Sequence, residues 1–308
     1  MTAVPATQAL RHVVSSEQFD RALLDSLFAR AAALDGVRDH RLAGRIMASL
    51  FYEPSTRTRL SFESAMLRLG GSVIGTEAAH AFSSAIKGET LEDTIRMVAT
   101  YADLIVLRHD QEGAAERAAA VSTVPVVNAG DGPGEHPTQA LLDLYTIERE
   151  LGHIEGVRVA FCGDLRYGRT ARSLALLLAL YPGVGLAFVA PDVVQMSPDI
   201  LTRLSERAVP YTLSNQLGDV LSRVDVVYQT RIQKERFTDA NEFEQACTAI
   251  HIDAYVMARM RDTAIVMHPL PRVGEIAPEV DTDPRAAYFR QARNGVAIRM
   301  ALLEMLLS

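Results

Sequence analysis

The residues best suited to chemistry sit just behind apolar runs. The densest group is Glu53-Pro54-Ser55-Thr56-Arg57-Thr58-Arg59, which follows Ile46 to Tyr52 and leads into a segment that reads as helix and ends at Gly70-Gly71. This reads as a strand-to-helix corner, with Pro54 suited to a helix start and Ser55 and Thr56 able to cap it. The first N–H groups of a helix have no partner within it and lie at the positive end of its dipole. Two hydroxyls and a guanidinium added to those amides exceed what a cap requires, and they fit a dianionic phosphate. The competing reading is an ordinary capped helix with solvated arginines.

Similar groups recur behind other apolar runs. Arg108-His109 follows Leu104 to Leu107, and Asn128-Ala129-Gly130-Asp131 leads to His136-Pro137-Thr138-Gln139. Further along stand Gly163-Asp164 with Gly168-Arg169-Thr170, then Thr230-Arg231-Ile232-Gln233, then His268-Pro269-Leu270-Pro271-Arg272. Ligands of open α/β sheets bind outside the carboxyl ends of the strands, so cations, amides and imidazoles gathered there predict a binding crevice. Gly163 to Thr170 is one substitution from the phosphate-loop pattern G-x4-G-K-[ST], with Arg169 in the lysine's place, so a nucleotide enzyme competes. No G-x-G-x-x-G accompanies it, and the run Val224 to Val227 ends in Tyr228 rather than an acidic metal ligand. A guanidinium in that turn suits a planar carboxylate. The Leu270-Pro271 bond could be cis, turning carbonyls toward a small NH2 group, or trans and merely stiffening.

These groups need a scaffold, and apolar and polar segments alternate in a βαβα manner that predicts parallel sheets with helices on both faces. Strands are expected near 45–52, 72–76, 103–108 and 124–128 and, after a helix at 137–151, near 157–162, 184–190, 224–229 and 264–267. Helices are expected at 56–69, 90–101 and 112–121, and Ser15-Ser16-Glu17-Gln18 resembles a capping box opening a helix striped by Leu23, Leu24, Leu27, Phe28 and Ala31. The expected fold is α/β, two doubly wound domains of residues 1–136 and 137–289, with a C-terminal helix, 290–308, returning to the first. Residues 77–89 read as neither element; a loop that long is usually functional or disordered, and its Lys87 is either a solvated surface lysine or a cation that a lid delivers to an anion.

Composition narrows the function classes. A chain of 308 residues, 48% hydrophobic and 22% charged, supports two cores, and its net charge of −7 argues against a general nucleic-acid binder. No apolar run is long enough to span a membrane, and the first fourteen residues lack signal-peptide order, so a cytoplasmic location is expected. Cys162 and Cys247 belong to no Cys/His cluster, which predicts neither a disulfide nor a metal site; Cys162 reads as a buried reduced thiol.

Ser55-Thr56-Arg57-Thr58-Arg59, His136-Pro137-Thr138-Gln139 and His268-Pro269-Leu270-Pro271 together resemble the aspartate/ornithine carbamoyltransferase family, from about Ala48 onward. Gly163 to Thr170, Thr230 to Arg236 and Pro269-Leu270-Pro271-Arg272 look like its aspartate branch; the ornithine branch would show Ser-Met-Gly and a Cys in place of Pro269. The resemblance implies carbamoyl transfer from carbamoyl phosphate to the α-amine of L-aspartate, early in pyrimidine biosynthesis, with no metal or organic cofactor; ornithine is the alternative acceptor. It implies that Ser55, Thr56, Arg57 and Thr58 cradle the phosphate and that Arg108, His136 and Thr58 face the carbamoyl oxygen. Gln139 and the Leu270 and Pro271 backbone would hold the amide, and Lys87, Arg169, Arg231 and Gln233 the aspartate carboxylates. Ser83 and Lys87 would come from a neighbouring subunit's lid, where Ile86 stands in place of the second lysine of some members. That implies a homotrimer with shared sites, alone or joined by regulatory or other pathway chains.

Overall fold

The computed structural model describes residues 10–77, 88–232, 239, 241, 243–244, 247 and 250–308. The chain forms two compact units, residues 1–138 with 295–308, and residues 139–294.

In the first unit β1 (Ile46–Phe51), β2 (Ser72–Glu77), β3 (Leu104–His109) and β4 (Val126–Asp131) form one parallel sheet in the order β2-β1-β3-β4. Helices α2 (Thr56–Arg68), α3 (Leu91–Val98) and α4 (Ala114–Val121) connect them. Ala48, Leu50 and Tyr52 pack with Leu91 and Ile95 of α3 and with Ala114 and Ala118 of α4. Ser49, pointing the other way, donates to Glu63 of α2 at 3.3 Å. With β1 covered on both faces, its sequence is a continuous apolar run rather than an alternation.

The expected capping box is present: the Ser15 hydroxyl accepts from Glu17 N, and Gln18 Oε1 accepts from Ser15 N at 3.0 Å. It closes only a single 3-10 turn, Ser16–Gln18, and the long helix α1 (Arg21–Leu34) starts later under its own cap, Asp20. The stripe of Leu23, Leu24, Leu27, Phe28 and Ala31 is buried as its spacing predicts.

The second unit holds α5 (Pro137–Leu151) from Gln139 onward and a five-stranded parallel sheet ordered β7-β6-β5-β8-β9. These are β5 (Arg158–Cys162), β6 (Gly185–Val189), β7 (Tyr211–Ser214), β8 (Val226–Gln229) and β9 (Ile265–Met267), joined through α6 (Arg169–Leu178), α7 (Pro198–Glu206) and α8 (Ala254–Arg259). Strand β7 escapes the sequence reading because it is a four-residue edge strand with no buried residue. Cys162 is fully buried, and burial pushes its thiol well above the ordinary value, so it stays protonated.

The last helix, α9 (Tyr288–Leu307), passes from the second unit into the first at Gly295. There Glu304 receives Arg41 and Arg30, each at 2.6 Å, and the Arg299 guanidinium lies 4.9 Å from the centre of the Phe62 ring. The returning helix is therefore tied to α1, α2 and the turn before β1. Among the described residues no helix is long and apolar enough to cross a membrane.

Candidate active site

In each sheet the chain winds one way and then the other, and the reversal falls between the first strand of that unit and the strand beside it. In the first unit this switch point lies between β1 and β3, where Phe51 pairs with Arg108. Crevices at such points lie outside the carboxyl ends of the strands. The corner Glu53 to Thr58 leaves β1 there, and Arg108 is the penultimate residue of β3.

The corner has the make-up of an anion seat. Ser55 stands at the N-cap position of α2 but its side chain makes no cap bond, contrary to the expected role as a cap. The first intrahelical bond at this end is Arg59 N to Ser55 O at 3.1 Å, so the amides of Thr56, Arg57 and Thr58 come before the ladder begins. The two arginines differ. Arg59 donates to Glu63 at 2.8 Å and is held along the helix, whereas Arg57 makes no hydrogen bond or ion pair among the described residues. Its guanidinium is pushed below the ordinary value, first by loss of solvent and then by the positive charge of Arg108. Two cations that repel each other beside unused helix amides form a place where an anion lowers the energy.

Arg108 is aimed by an ion pair with Glu53 at 2.6 Å and by a hydrogen bond to the Ala129 carbonyl at 3.1 Å. Glu53 was visible in the motif without an assignable role; its partner is distant in sequence and adjacent only through the β1–β3 register. His136 is buried, with Nε2 3.4 Å from the Thr58 hydroxyl. The loop that carries it is locked by groups that looked like ligands in the sequence. Asn128 Oδ1 accepts from Gly130 N at 2.7 Å, and Asp131 accepts from Glu135 N at 2.9 Å and Gly113 N at 3.0 Å. Asn128 and Asp131 thus build the loop rather than offer their polar groups to a ligand.

In the second unit the switch point lies between β5 and β8. The loop leaving β5 does not have the make-up of a phosphate loop, whose backbone amides must point at the ligand. Leu165 N and Arg166 N both donate to the Val194 carbonyl, at 2.9 and 3.0 Å, and Tyr167 N donates to Asp164 at 3.0 Å. Its glycines serve close packing. A Cβ on Gly163, which has φ +114°, would lie 2.4 Å from Thr230 O, and one on Gly168 would lie 2.3 Å from Asp164 O. This contact joins the two strand exits, because Thr230 also donates through its hydroxyl to Cys162 O at 3.0 Å. Arg169, the first residue of α6, and Arg231, just beyond β8, therefore leave adjacent strands at the same edge. Arg231 also lines a cleft of about 950 Å³ with His251, Arg259 and Glu275.

The exit of β9 carries the His268 turn. The Leu270-Pro271 bond is cis, and Leu270 has φ +55°. The buried His268 ring accepts from Leu270 N through Nδ1 at 2.7 Å, so its proton is on Nε2, which donates to Glu275 at 2.7 Å. Burial raises the Glu275 carboxyl, but the His268 bond and backbone donors outweigh it and the net shift is downward. The Leu270 and Pro271 carbonyls accept no hydrogen bond among the described residues. Gln139, one turn into α5, donates to Asp143 at 2.8 Å. Asp143, Glu275 and Gln291, which holds His268 N at 2.8 Å, carry no sequence signal, since each acts by holding another residue. Ser83, Lys87 and Gln233 lie outside the described residues. Among the described residues no group of three His, Cys, Asp or Glu side chains could hold a metal ion.

Two parallel α/β units with cations at their switch points define a protein that handles small anionic ligands. More narrowly, the chain belongs to the aspartate/ornithine carbamoyltransferase family, whose carbamoyl-P binding domain matches residues 11–149 and whose Asp/Orn binding domain matches residues 155–306. It is 57% identical to aspartate carbamoyltransferase 1, chloroplastic, of Pisum sativum, over 97% of this chain and 79% of the relative. It is 50% identical to the aspartate carbamoyltransferase catalytic subunit of Methanocella arvoryzae, over 96% of this chain and 97% of the relative. The Trypanosoma cruzi aspartate transcarbamoylase, solved in complex with carbamoyl phosphate and aspartate, superposes with a TM-score of 0.91 at 45% identity, covering 97% of each chain.

Proposed function

We propose that this chain transfers the carbamoyl group of carbamoyl phosphate to the α-amine of L-aspartate, releasing phosphate and N-carbamoyl-L-aspartate. The observation that carries the reading is Arg57, an exposed guanidinium close enough to Arg108 to be repelled by it, with no anion of the protein to answer it among the described residues. With the hydroxyls of Ser55 and Thr56 and the amides of the α2 first turn, it is complementary to a phosphate dianion. The relative named above binds carbamoyl phosphate and aspartate, which identifies the phosphoester and the acceptor.

In this reading residues 1–136 with the returning helix form the carbamoyl-phosphate-binding domain and residues 137–289 the aspartate-binding domain. The amine attacks the carbamoyl carbon, making the new C–N bond as a tetrahedral intermediate forms; the intermediate then collapses, the C–O bond to phosphate breaks, and phosphate leaves with the bonding pair. Charge builds on the carbonyl oxygen. Arg108, held by Glu53 and Ala129, and the neighbouring pair Thr58 and His136 supply donors in place before the reaction, as an oxyanion hole requires. Gln139 and the Leu270 and Pro271 carbonyls recognise the amide, and Arg169, Arg231 and Gln233 the two carboxylates of aspartate. His136 serves as a neutral donor while the leaving phosphate accepts the amine proton. The residues themselves need no metal or organic cofactor for these steps.

The working form in this reading is a cytoplasmic homotrimer in which Ser83 and Lys87 reach the site from a neighbouring chain, with room for regulatory or other pathway chains. The family resemblance and the long polar segment before Glu89 support it. A colorimetric assay for carbamoyl-aspartate with purified chain, run beside ornithine as competing acceptor, tests the activity. Product formed from aspartate alone is expected; carbamoylation of ornithine instead, or of neither, would overturn the reading.

A further inference from the structure

We infer that Asp143 is a positioning residue that fixes which end of the Gln139 amide faces the substrate, and so makes the site select a carbamoyl group over its methyl isostere. The inference rests on the amide-recognition role proposed above for Gln139.

The orientation follows from a group whose role is not ambiguous. The backbone N–H of His268 can only donate, and it donates to Gln291 Oε1 at 2.8 Å. Gln291 must then present its NH2 end to Asp143, and Gln291 Nε2 lies 2.6 Å from Asp143 Oδ1. The second oxygen, Oδ2, accepts from the Tyr228 hydroxyl at 2.6 Å. Tyr228 is fully buried, and burial first and the Asp143 charge second push its ionisation well upward, so it keeps its proton and donates. Asp143, itself fully buried, is thus an acceptor on both oxygens, as an ionised carboxylate is.

Gln139 stands four residues before Asp143 on α5, on the same helix face, and reaches Oδ1 at 2.8 Å. Only its NH2 end can do so. The Gln139 Oε1 atom is therefore turned away, and it accepts from no group among the described residues. Asn and Gln ends are normally assigned from their partners, and here every partner points the same way. An acceptor is what a carbamoyl NH2 needs and what a methyl group cannot use. Through Gln291 the same carboxylate holds His268, whose ring accepts from Leu270 N, so the carbonyls of Leu270 and Pro271 hang from it too. One buried carboxylate orients three acceptors. A role limited to packing would be served by an apolar side chain without the cost of burying an ion.

The test measures binding of carbamoyl phosphate, acetyl phosphate and inorganic phosphate to the whole chain and to its Asp143→Ala, Asp143→Asn and Gln139→Ala variants, with thermal unfolding of each. Asp143→Ala is expected to weaken carbamoyl phosphate by about tenfold or more, the effect of one misoriented polar partner, with acetyl phosphate and phosphate unchanged. Asp143→Asn is expected to restore the discrimination, because its carbonyl oxygen still receives Gln291 and Gln139 while the Tyr228 hydroxyl turns to accept from the new NH2. Added to Gln139→Ala, the Asp143→Ala change should cost nothing more. If Asp143→Ala is not recovered folded, Asp143→Glu displaces the oxygens while keeping the charge, and the same selective loss is expected. Equal weakening of all three anions, or undiminished discrimination in the folded Ala and Glu variants, overturns the role of Asp143 alone. A wild-type chain that itself does not prefer carbamoyl over acetyl phosphate overturns the proposed site and this inference together.

Discussion

At the scale of single residues, geometry separates cations that work from cations that hold structure. Arg59 is paired along its helix and Arg57, the proposed phosphate ligand, is not, although one residue separates them in the sequence. His136 is proposed as a neutral donor, and its Nε2 lies 3.4 Å from the Thr58 hydroxyl. A neutral donor can be replaced by another. We expect His136→Gln to keep the wild-type shape of the pH–rate profile through the range where histidine titrates, near pH 6.5, while His136→Ala loses about 10²- to 10³-fold in kcat. A profile that loses its limb in the Gln variant would make His136 a base instead. Arg169→Lys restores the phosphate-loop consensus yet removes a planar fork. KM for aspartate should rise about 10- to 100-fold with carbamoyl phosphate binding intact, the cost of one bidentate contact. Preserved activity would return the nucleotide reading, against which the amides of Leu165 and Arg166 already argue.

At the scale of elements, the turn after β9 is a pH-sensitive fastening. Because His268 Nδ1 accepts from Leu270 N, Nε2 must carry the proton, and Glu275 must receive it as well as the Val273 amide at 2.8 Å. A Glu275→Gln side chain would set an NH2 against one of these donors, so we expect a loss of about 1–3 kcal/mol in urea unfolding at neutral pH. The wild-type contribution has a defined direction. The Glu275 carboxyl is lowered from its ordinary 4.5 in the folded chain, so its stabilisation is complete above pH 4.5 and is lost as pH falls through the lowered value. The Gln variant should therefore converge on wild type in acid, which unfolding curves at falling pH would show. Fully buried strands such as β1, β3 and β5 were legible as apolar runs because both their faces are covered. Strand β7 was not, because an exposed edge carries no such pattern. The start of α1 was misjudged for a local reason: Asp20, the cap in use, lies five residues beyond the more conspicuous Ser15.

At the scale of the whole molecule, the candidate site was legible where a strand exit carries a polar or cationic group and illegible where a residue acts by holding another. Arg108 could be read as a candidate; that Glu53 aims it could not, since the ion pair depends on which strands are neighbours. Such dependence extends to the proposed role of Lys87, because a cation at position 87 could complete a site on its own chain or on another, and the two arrangements differ in what a mixture does. If each site takes Arg57 from one chain and Lys87 from its neighbour, mixing inactive Arg57→Ala chains with inactive Lys87→Ala chains creates sites that hold both native residues. We expect activity to reappear after the two variants are dissociated together and reassociated, in a species of three times the 33.6 kDa chain mass by light scattering. If both residues came from one chain, every site in the mixture would lack one of them, and no activity would return however completely the chains reassembled.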